Sequence, residues 1–370
     1  MKKTFLIIAG DRSGDMHAAN LAAAIKESSP QIDILALGGD NLKTVADKFL
    51  YNLVSIEGFG FSGALFKYFA LRKIFLKNVV ANLNSGKVDA VVLVDYYGFN
   101  IFVARAAKKR NIPVYYYICP QVWASRKGRI NQLKKNVTKM LLTLPFELEL
   151  YANAGMNFTF VGHPIIDILP NENYAKLSGC EPVVIGVFPG SRKNTIIKHI
   201  ELLENTAQEI SKHINAKFKL FLPDERCLSL LSKNSLLEPV IASDYSARKG
   251  LSVALSVSGT VCLENSLLGI PSVIFYKLSK FNYLIAKMLV KTRFIAMPNI
   301  LLGRQLLPEL IQENATVHNL SKATLDILAN KDNWQNINKA LLGLRSILGS
   351  DGVAKYAAKK ILDDISKVNK

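Results

Sequence analysis

Short apolar runs rich in β-branched residues recur along the chain, and most of them are followed by a helix-like segment. Such runs are typical of strands buried on both faces, and their alternation with helices favours parallel sheets covered on both sides. In the first half we expect strands at Phe5–Ala9, Ile32–Leu37, Ala90–Val94, Val114–Ile118, Met140–Thr143 and Phe158–Val161. In the second half we expect them at Val183–Phe188, Phe218–Leu222, Val240–Ala242, Val253–Val257 and Val273–Tyr276.

A polar stretch at residues 169–173 separates the two series of strands. The chain is therefore predicted to be an α/β protein with two Rossmann-like parallel-sheet lobes that face a central cleft. We place the first lobe at residues 1–168 and the second at residues 180–345. The C-terminal segment 346–370 contains a basic amphipathic helix at Tyr356–Val368, and its spacing leaves open whether it crosses back to the first lobe.

The charge balance is strongly basic, with 47 Lys and Arg against 29 Asp and Glu and a net charge of +18. This excess favours an anionic partner, such as nucleic acid, acidic lipid or a phosphorylated substrate, although a merely lysine-rich surface has the same composition. The four cysteines form no Cys-x-x-Cys pair, which is typical of a reducing compartment. No apolar stretch reaches the roughly 18 residues of a membrane span, so we expect a cytoplasmic protein.

Small residues at the end of a buried strand mark a candidate phosphate site in the second half. The turn 258–260, Ser-Gly-Thr, follows Val253–Val257 and directly precedes a helix. A helix N-terminus offers unpaired N–H donors and the positive end of its dipole, which suits a phosphate group. Glu264 lies one turn inside the same helix, where its carboxylate could accept hydrogen bonds from a sugar or ribose.

Two further turns of the second half contain candidate ligand contacts. The turn 189–192, Pro-Gly-Ser-Arg, follows Val183–Phe188, and an arginine at a strand end can pair with a diphosphate. Asn299 and Arg304 belong to a Pro-Asn…Gly-Arg loop from which both could reach ligand. The alternatives are a solvated arginine in the first turn and an ordinary capped turn in the second.

Acidic residues follow two strands of the first half. The turn 10–15, Gly-Asp-Arg-Ser-Gly-Asp, lacks the spacing of a dinucleotide site and could be an ordinary turn with Asp15 near the helix start. Asp95 follows Ala90–Val94, and ligands of open parallel sheets bind beyond the carboxyl ends of strands. Asp95 is therefore a candidate general base, with capping of the next helix as the alternative. His163, at another strand end, is not a catalytic candidate on its own.

The segment Phe61–Val79 has the pattern of a helix that lies in a membrane interface. Its apolar residues fall on one helical face and its lysines on the opposite arc, while Arg72 intrudes on the apolar side. A second candidate is Phe281–Arg293, and the alternative for both is a helix packed into the core. From the first segment we expect lipid contact through Phe61, Leu65, Tyr68 and Phe75.

Eight short motifs occur in the same order as in one enzyme family. They are Gly10…Ser13-Gly14-Asp15, Asp95…Phe99-Asn100, Pro120…Val122-Trp123-Ala124…Arg126, Leu144-Pro145-Phe146-Glu147, Phe160-Val161-Gly162-His163-Pro164, Pro189-Gly190-Ser191-Arg192, Ser258-Gly259-Thr260…Leu263-Glu264 and Pro298-Asn299…Gly303-Arg304. Each motif is weak alone, but their order is specific. By these residues the chain resembles lipid-A-disaccharide synthase, a GT-B glycosyltransferase of Gram-negative lipid A assembly.

The resemblance implies a reaction and a set of site residues. UDP-2,3-diacylglucosamine would donate its sugar to 2,3-diacylglucosamine 1-phosphate with inversion, giving a β-1,6-linked disaccharide 1-phosphate and UDP. Asp95 would be the base, and no metal or cofactor is implied. The UDP-sugar would contact Gly190, Ser191, Arg192, Ser258, Gly259, Thr260, Glu264, Asn299 and Arg304. The acceptor side of the cleft would include Asp11, Ser13, Gly14, Asp15, Asn100, Trp123 and His163.

Three positions depart from the family pattern. Asp11 stands where the family usually has Glu. The segment 96–98 reads Tyr-Tyr-Gly instead of Ala-Pro-Asp, which removes a second carboxylate, and the segment 123–125 reads Trp-Ala-Ser instead of Trp-Ala-Trp. These departures put the reaction rate, the acceptor choice and the contact with the acyl or sugar group in question.

The resemblance and the charge together imply a peripheral protein on the cytoplasmic face of the inner membrane, attracted to an anionic lipid surface. A homodimer is left open. One alternative is another GT-B enzyme that uses a UDP-sugar, either a peptidoglycan-type N-acetylglucosaminyltransferase or an epimerase. The other alternative, a nucleic-acid binder, is supported by the net charge alone, so no nucleic-acid partner is expected.

Overall fold

The computed structural model describes residues 2–58, 64–120, 122, 128–177, 182–241, 244–277 and 293–367. The chain divides into two compact units, each built on its own sheet. The first unit comprises residues 1–167 and 348–370, and the second comprises residues 168–347. Every strand pair within the described ranges is parallel.

The sheet of the first unit has a topological switch point in its middle. Its strands, among the described residues, are β1 (Thr4–Ala9), β2 (Asp33–Gly38), β3 (Lys48–Asn52), β4 (Ala90–Val94), β5 (Val114–Tyr117), β6 (Lys139–Leu142) and β7 (Phe158–Phe160). Their order is β3-β2-β1-β4-β5-β6-β7. Because the order reverses between β1 and β4, the carboxyl ends of these two strands flank the crevice where ligands of such sheets bind.

Helices cover both faces of this sheet. They include α1 (Arg12–Ser28), α2 (Asp40–Val45), α3 (Ala64–Ile74), α4 (Ala81–Asn84), α5 (Tyr97–Lys108), α6 (Arg129–Asn136) and α7 (Glu147–Asn153). Successive strand residues point to opposite faces, so Tyr116 belongs to one hydrophobic core and its neighbours Tyr115 and Tyr117 belong to the other. The apolar runs of the sequence are continuous because both faces are buried.

The second unit repeats the same plan. Its strands, within the described ranges, are β8 (Val183–Phe188), β9 (Ala216–Phe221), β10 (Leu237–Val240), β11 (Val253–Val257), β12 (Ser272–Tyr276) and β13 (Glu309–Ile311), in the order β10-β9-β8-β11-β12-β13. The switch point therefore lies between β8 and β11. Its helices include α8 (Lys193–Ser211), α9 (Thr260–Leu267), α10 (Met297–Leu302), α11 (Val317–Ala329) and α12 (Lys331–Leu342), and the short α13 (Leu344–Leu348) follows.

The last helix, α14 (Val353–Lys367), belongs to the first unit. Ala357, Ala358 and Ile361 of α14 are fully buried in the core face that α1 also covers. Asp167 accepts hydrogen bonds of 2.7–3.1 Å from the backbone N–H groups of residues 352–354 at the start of this helix. The C-terminal helix thus completes the hydrophobic covering on one side of the first sheet.

The predicted fold class, two Rossmann-like parallel-sheet lobes, is confirmed. The strands expected at Ala90–Val94, Val183–Phe188 and Val253–Val257 have the same bounds in the structure. The sequence missed β3 and β13, which lie at sheet edges. Neither strand contains a fully buried residue, so neither has the apolar run that identifies a central strand.

The segment predicted to lie in a membrane interface is not one regular helix. A π-helical turn, Phe75–Val80, separates α3 from α4. Phe75 is half-buried, and its ring packs against the core and meets Phe99 edge to face at 6.2 Å. Its expected contact with lipid stays a prediction. The extra residue of a π-turn shifts the helical phase, so an apolar face drawn at 3.6 residues per turn does not continue through it.

Among the described side chains of this segment, Phe69 and Leu76 are the exposed large apolar ones. They line an open groove together with Arg72, Lys73 and Lys77. Phe61 and residues 281–292 of the second candidate lie outside the described residues, as do the side chains of Leu65 and Tyr68. No helix within the described ranges is both long and apolar enough to cross a bilayer.

Candidate active site

The backbone after β4 turns sharply at the first switch point. Asp95 and Tyr96 both have a φ of 44°, in the left-handed region that non-glycine residues rarely adopt. The Tyr96 ring lies over Gly10 at the end of β1, where an added Cβ would come within 2.1 Å of the ring. α5 begins at Tyr97 with Tyr96 as its N-cap residue, so Asp95 is not the capping residue that the alternative required.

Asn100 secures this turn from within α5. Its side chain is fully buried, and its Nδ2 donates to the backbone carbonyls of Val94 at 3.2 Å and Asp95 at 2.8 Å. These contacts give Asn100 a role in holding the turn, and its expected contact with the acceptor stays a prediction. Trp123, another of the expected acceptor contacts, lies outside the described residues.

The acidic side chains of the loop after β1 accept hydrogen bonds from backbone N–H groups. Asp11 caps α1, because its Oδ1 accepts a 2.6 Å hydrogen bond from the Gly14 N–H. Asp15 is 2% exposed, and its carboxylate accepts from the backbone N–H groups of Gly39 at 2.6 Å and Asn41 at 2.9 Å, at the start of α2. The structure therefore corrects the expectation that Asp15 faces an acceptor, whereas the same expectation for the half-buried Asp11 stays a prediction. Ser13 is exposed, whereas Gly14 is buried.

The buried His17 and the half-buried His163 form an edge-to-face pair with ring centroids 6.4 Å apart. The His163 Nδ1 accepts a 3.2 Å hydrogen bond from the Ile165 N–H, and its backbone N–H donates to the Leu348 carbonyl. Burial lowers the pKa of His17 to about 4 and that of His163 to about 3. Both rings are therefore neutral near pH 7, and the expected contact of His163 with the acceptor stays a prediction.

The second switch point presents exposed small residues and an arginine. Ser191 and Arg192 follow β8, while Gly259 and Thr260 follow β11, and all four are exposed. Gly190 has a φ of 114°, which favours glycine at this turn. α9 begins at Thr260, and its N-cap residue Gly259 has no side chain to pair with the first N–H groups. These donors and the positive end of the helix dipole make this turn a suitable anion site.

An ion pair holds Glu264 in place. Its Oε2 accepts a 2.7 Å hydrogen bond from Arg248, whose other terminal nitrogen donates to the Asn265 side chain at 2.9 Å. The guanidinium also lies over the rings of Phe188, at 5.1 Å, and Tyr245, at 4.8 Å. Burial, together with the Glu264 charge, raises the pKa of Tyr245 to about 12. The ion pair therefore fixes the orientation of the Glu264 carboxylate.

The sequence analysis missed Arg248, which lies in a loop before β11 rather than after a strand. In the sequence Arg248 belongs to the turn Tyr245-Ser246-Ala247-Arg248 and lies 16 residues before Glu264. This separation by itself does not indicate a contact, because only the fold brings the two side chains together. It also missed Tyr116, whose hydroxyl contacts the Asp95 backbone. Within the described ranges, no cluster of three or more His, Cys, Asp or Glu side chains could hold a metal ion.

Asn299 is the clearest departure from the expected donor site. It is fully buried; its Nδ2 donates to the Leu307 carbonyl and the Glu309 carboxylate, both at 2.8 Å, and its Oδ1 accepts from two backbone N–H groups at 2.9 Å. The structure corrects the expectation of ligand contact, because every polar atom of the side chain is occupied. Ser258 likewise donates to the Ile295 carbonyl at 2.9 Å, whereas Arg304 is exposed beyond α10.

Two Rossmann-like units, each with polar groups gathered at its own switch point, define a GT-B protein. Solved structures share this fold over nearly the whole chain. The UDP-GlcNAc 2-epimerase of Neisseria meningitidis, solved with UDP-GlcNAc bound, aligns with a TM-score of 0.64 at 14% identity over 98% of this chain and 100% of that one. MurG of Acinetobacter baumannii aligns with a TM-score of 0.61 at 16% identity, covering 99% of each chain.

Sequence comparison identifies the family within the GT-B class. The family model described as lipid-A-disaccharide synthetase matches residues 5–361, and the chain belongs to that family. The lipid-A-disaccharide synthase of Syntrophus aciditrophicus is 34% identical over 379 residues, which cover 99% of this chain and 98% of that protein. The enzyme of the same name from Geobacter metallireducens is 31% identical over the same shares of both chains. The resemblance found in the sequence motifs is thereby confirmed.

Proposed function

We propose that the chain transfers 2,3-diacylglucosamine from its UDP conjugate to 2,3-diacylglucosamine 1-phosphate, as a lipid-A-disaccharide synthase. The observation that carries this proposal is the family match over residues 5–361. In the reaction the bond from the anomeric carbon to UDP breaks and a bond to the acceptor 6-oxygen forms. UDP leaves with the electron pair, and the acceptor hydroxyl gives its proton to a base.

Asp95 is the proposed base. Its place after β4 at the first switch point supports this role, because reactive groups of open parallel sheets gather there. A single carboxylate base suits one in-line displacement with inversion, in which no covalent sugar intermediate forms. The nearby carboxylates Asp11 and Asp15 accept hydrogen bonds from helix starts.

The second unit is proposed to hold UDP. The exposed Arg192 and the uncapped start of α9 would pair with the diphosphate and stabilise the charge that develops as UDP leaves. Glu264, oriented by Arg248, would accept hydrogen bonds from the ribose hydroxyls. Since these groups supply the positive charge, we propose that transfer needs no metal, and turnover that persists in excess EDTA is the expected result.

The groove formed by Phe69, Arg72, Lys73, Leu76 and Lys77 is proposed to contact an anionic membrane surface. Exposed apolar side chains among cations are the composition that favours an interfacial site. Both proposed substrates are acylated and anionic, so they would lie at such a surface. Phe69→Ser with Leu76→Ser should weaken binding to vesicles that contain anionic lipid; unchanged partitioning would exclude this groove.

The decisive experiment measures UDP release from UDP-2,3-diacylglucosamine in detergent, with and without the acceptor, followed by mass analysis of the lipid product. Acceptor-dependent UDP release with a disaccharide monophosphate is the expected result. Binding of UDP without transfer would support the proposed UDP site but would show that 2,3-diacylglucosamine 1-phosphate is not the acceptor. Tight, steeply salt-dependent nucleic-acid binding without UDP binding would reject the whole proposal.

A further inference from the structure

The hydroxyl of Tyr116 lies next to the backbone of the proposed base. Tyr116 is a fully buried residue of β5, the strand beside β4, and its Oη donates to the Asp95 carbonyl at 2.5 Å. Burial raises the pKa of Tyr116 well above its ordinary value, and the Asp95 charge adds to this effect. The hydroxyl therefore keeps its proton and remains a donor throughout the physiological pH range.

Neighbouring groups hold both backbone polar atoms of Asp95. Its N–H lies 3.2 Å from the carbonyl oxygens of Tyr117 and Ile118, and its carbonyl accepts from Asn100 as well as from Tyr116. Residues in sparsely populated backbone regions are destabilising and persist only where their surroundings fix them. Asp95 and Tyr96 are both left-handed, and the contacts from β5 and Asn100 surround the backbone of Asp95.

We propose that Tyr116 is a positioning residue for the transfer reaction. Its hydroxyl holds the left-handed turn at Asp95 and thereby fixes the base relative to the acceptor hydroxyl. The inference rests on the proposed function, in which Asp95 takes the acceptor proton. A displacement of about 1 Å can cost about 100-fold in rate, so the loss of one hydrogen bond at this turn should lower kcat. It should leave UDP binding unchanged, because Tyr116 belongs to the other unit.

The next residue provides a matched control. Tyr117 is also fully buried on β5, but it points to the opposite core, and its hydroxyl has no hydrogen-bond partner among the described residues. Tyr116→Phe should reduce kcat by about 10- to 100-fold with the donor KM within about twofold. Tyr117→Phe removes the same atom one residue away and should leave kcat within about twofold. Equal kcat in the two variants, or a change confined to the donor KM, would overturn the proposal.

Hydrogen exchange of the peptide spanning residues 95–100 tests the turn without any lipid substrate. Tyr116→Phe should exchange faster over this peptide than Tyr117→Phe, and equal exchange would overturn the proposed contact. If the wild type transfers no sugar, the proposed function fails, while exchange still decides whether Tyr116 holds the turn. If exchange rises but an active enzyme keeps its kcat, the turn is held by Tyr116 but the positioning role is wrong.

Discussion

The two switch points hold their key carboxylates by different means. In the first unit, Asp95 sits on a left-handed turn whose backbone is fixed by neutral, buried hydrogen bonds from β5 and Asn100. In the second unit, Glu264 lies on a regular helix and is fixed through its side chain by the Arg248 guanidinium. In the first arrangement hydrogen bonds hold the backbone, whereas the second depends on a pair of charged side chains, so the two should respond differently to substitution.

The largest expected effect follows from replacing the proposed base. Asp95→Asn should lower kcat by about a thousandfold, since a general base contributes about 10²- to 10⁴-fold, and it should leave UDP affinity unchanged. Steady-state kinetics with calorimetric UDP titration measure both quantities. Asp89→Asn is the matched control, because Asp89 lies at the opposite end of β4, where its carboxylate accepts a 2.7 Å hydrogen bond from the Thr4 N–H. A near-normal rate in Asp95→Asn would remove the base assignment.

The ion pair of the second unit should respond next most strongly. Arg248→Met should lower the free energy of unfolding by about 3 kcal/mol, because it leaves the Glu264 carboxylate largely buried without its cation. The double variant Arg248→Met, Glu264→Leu should recover most of that stability but not UDP affinity. Urea unfolding and UDP titration separate these effects.

The exposed neighbouring pair, Lys249 with Glu172, offers the control for the ion pair. Lys249→Met should change the free energy of unfolding by less than about 1 kcal/mol. If Arg248→Met proved equally mild, or if the double variant bound UDP normally, a side-chain ion pair would not be what orients the donor site.

Acid should destabilise the first unit through the paired histidines His17 and His163. The folded pKa values of about 4 for His17 and about 3 for His163 lie below the ordinary value, so the unfolded chain binds protons that the folded chain excludes. The free energy of unfolding should therefore fall from pH 6.5 downward, by about 1.4 kcal/mol per pH unit for each ring. His163→Asn should roughly halve this slope, whereas the exposed His213→Asn should not; an unchanged slope in His163→Asn would contradict the assignment.

The smallest effect concerns the carboxylate that the family pattern has at position 98. Gly98 lies in the first turn of α5, and an added Cβ there would meet nothing within 4 Å. Gly98→Asp should raise the free energy of unfolding by about 1 kcal/mol, through helix propensity and the helix dipole. It should also change kcat more than Gly98→Asn, which has the same size without the charge. Identical kinetics in the two variants would show that this carboxylate has no part in transfer.

Predictions from sequence were most accurate where structure is local. Central strands such as β4, β8 and β11 were found because burial on both faces produces an uninterrupted apolar run. Edge strands lack that run and were missed. The apolar face of Phe61–Val79 was predicted for a regular α-helix, and the π-helical turn at Phe75–Val80 changes the helical phase within it. Asn299 was misjudged because the groups that occupy its side chain come from a loop and strand that only the fold brings beside α10.

The sequence by itself determined the two parallel-sheet units and the turns at their switch points, because strand burial and turn chemistry depend on a few adjacent residues. It also determined the family, through the order of eight short motifs. Only the tertiary structure decided which groups hold the acidic residues in place. Asp15 is held by the start of α2 and the Asp95 turn by a tyrosine of β5, and both partners lie more than 20 residues away along the chain. Such pairs depend on which strands become neighbours, which local patterns do not specify.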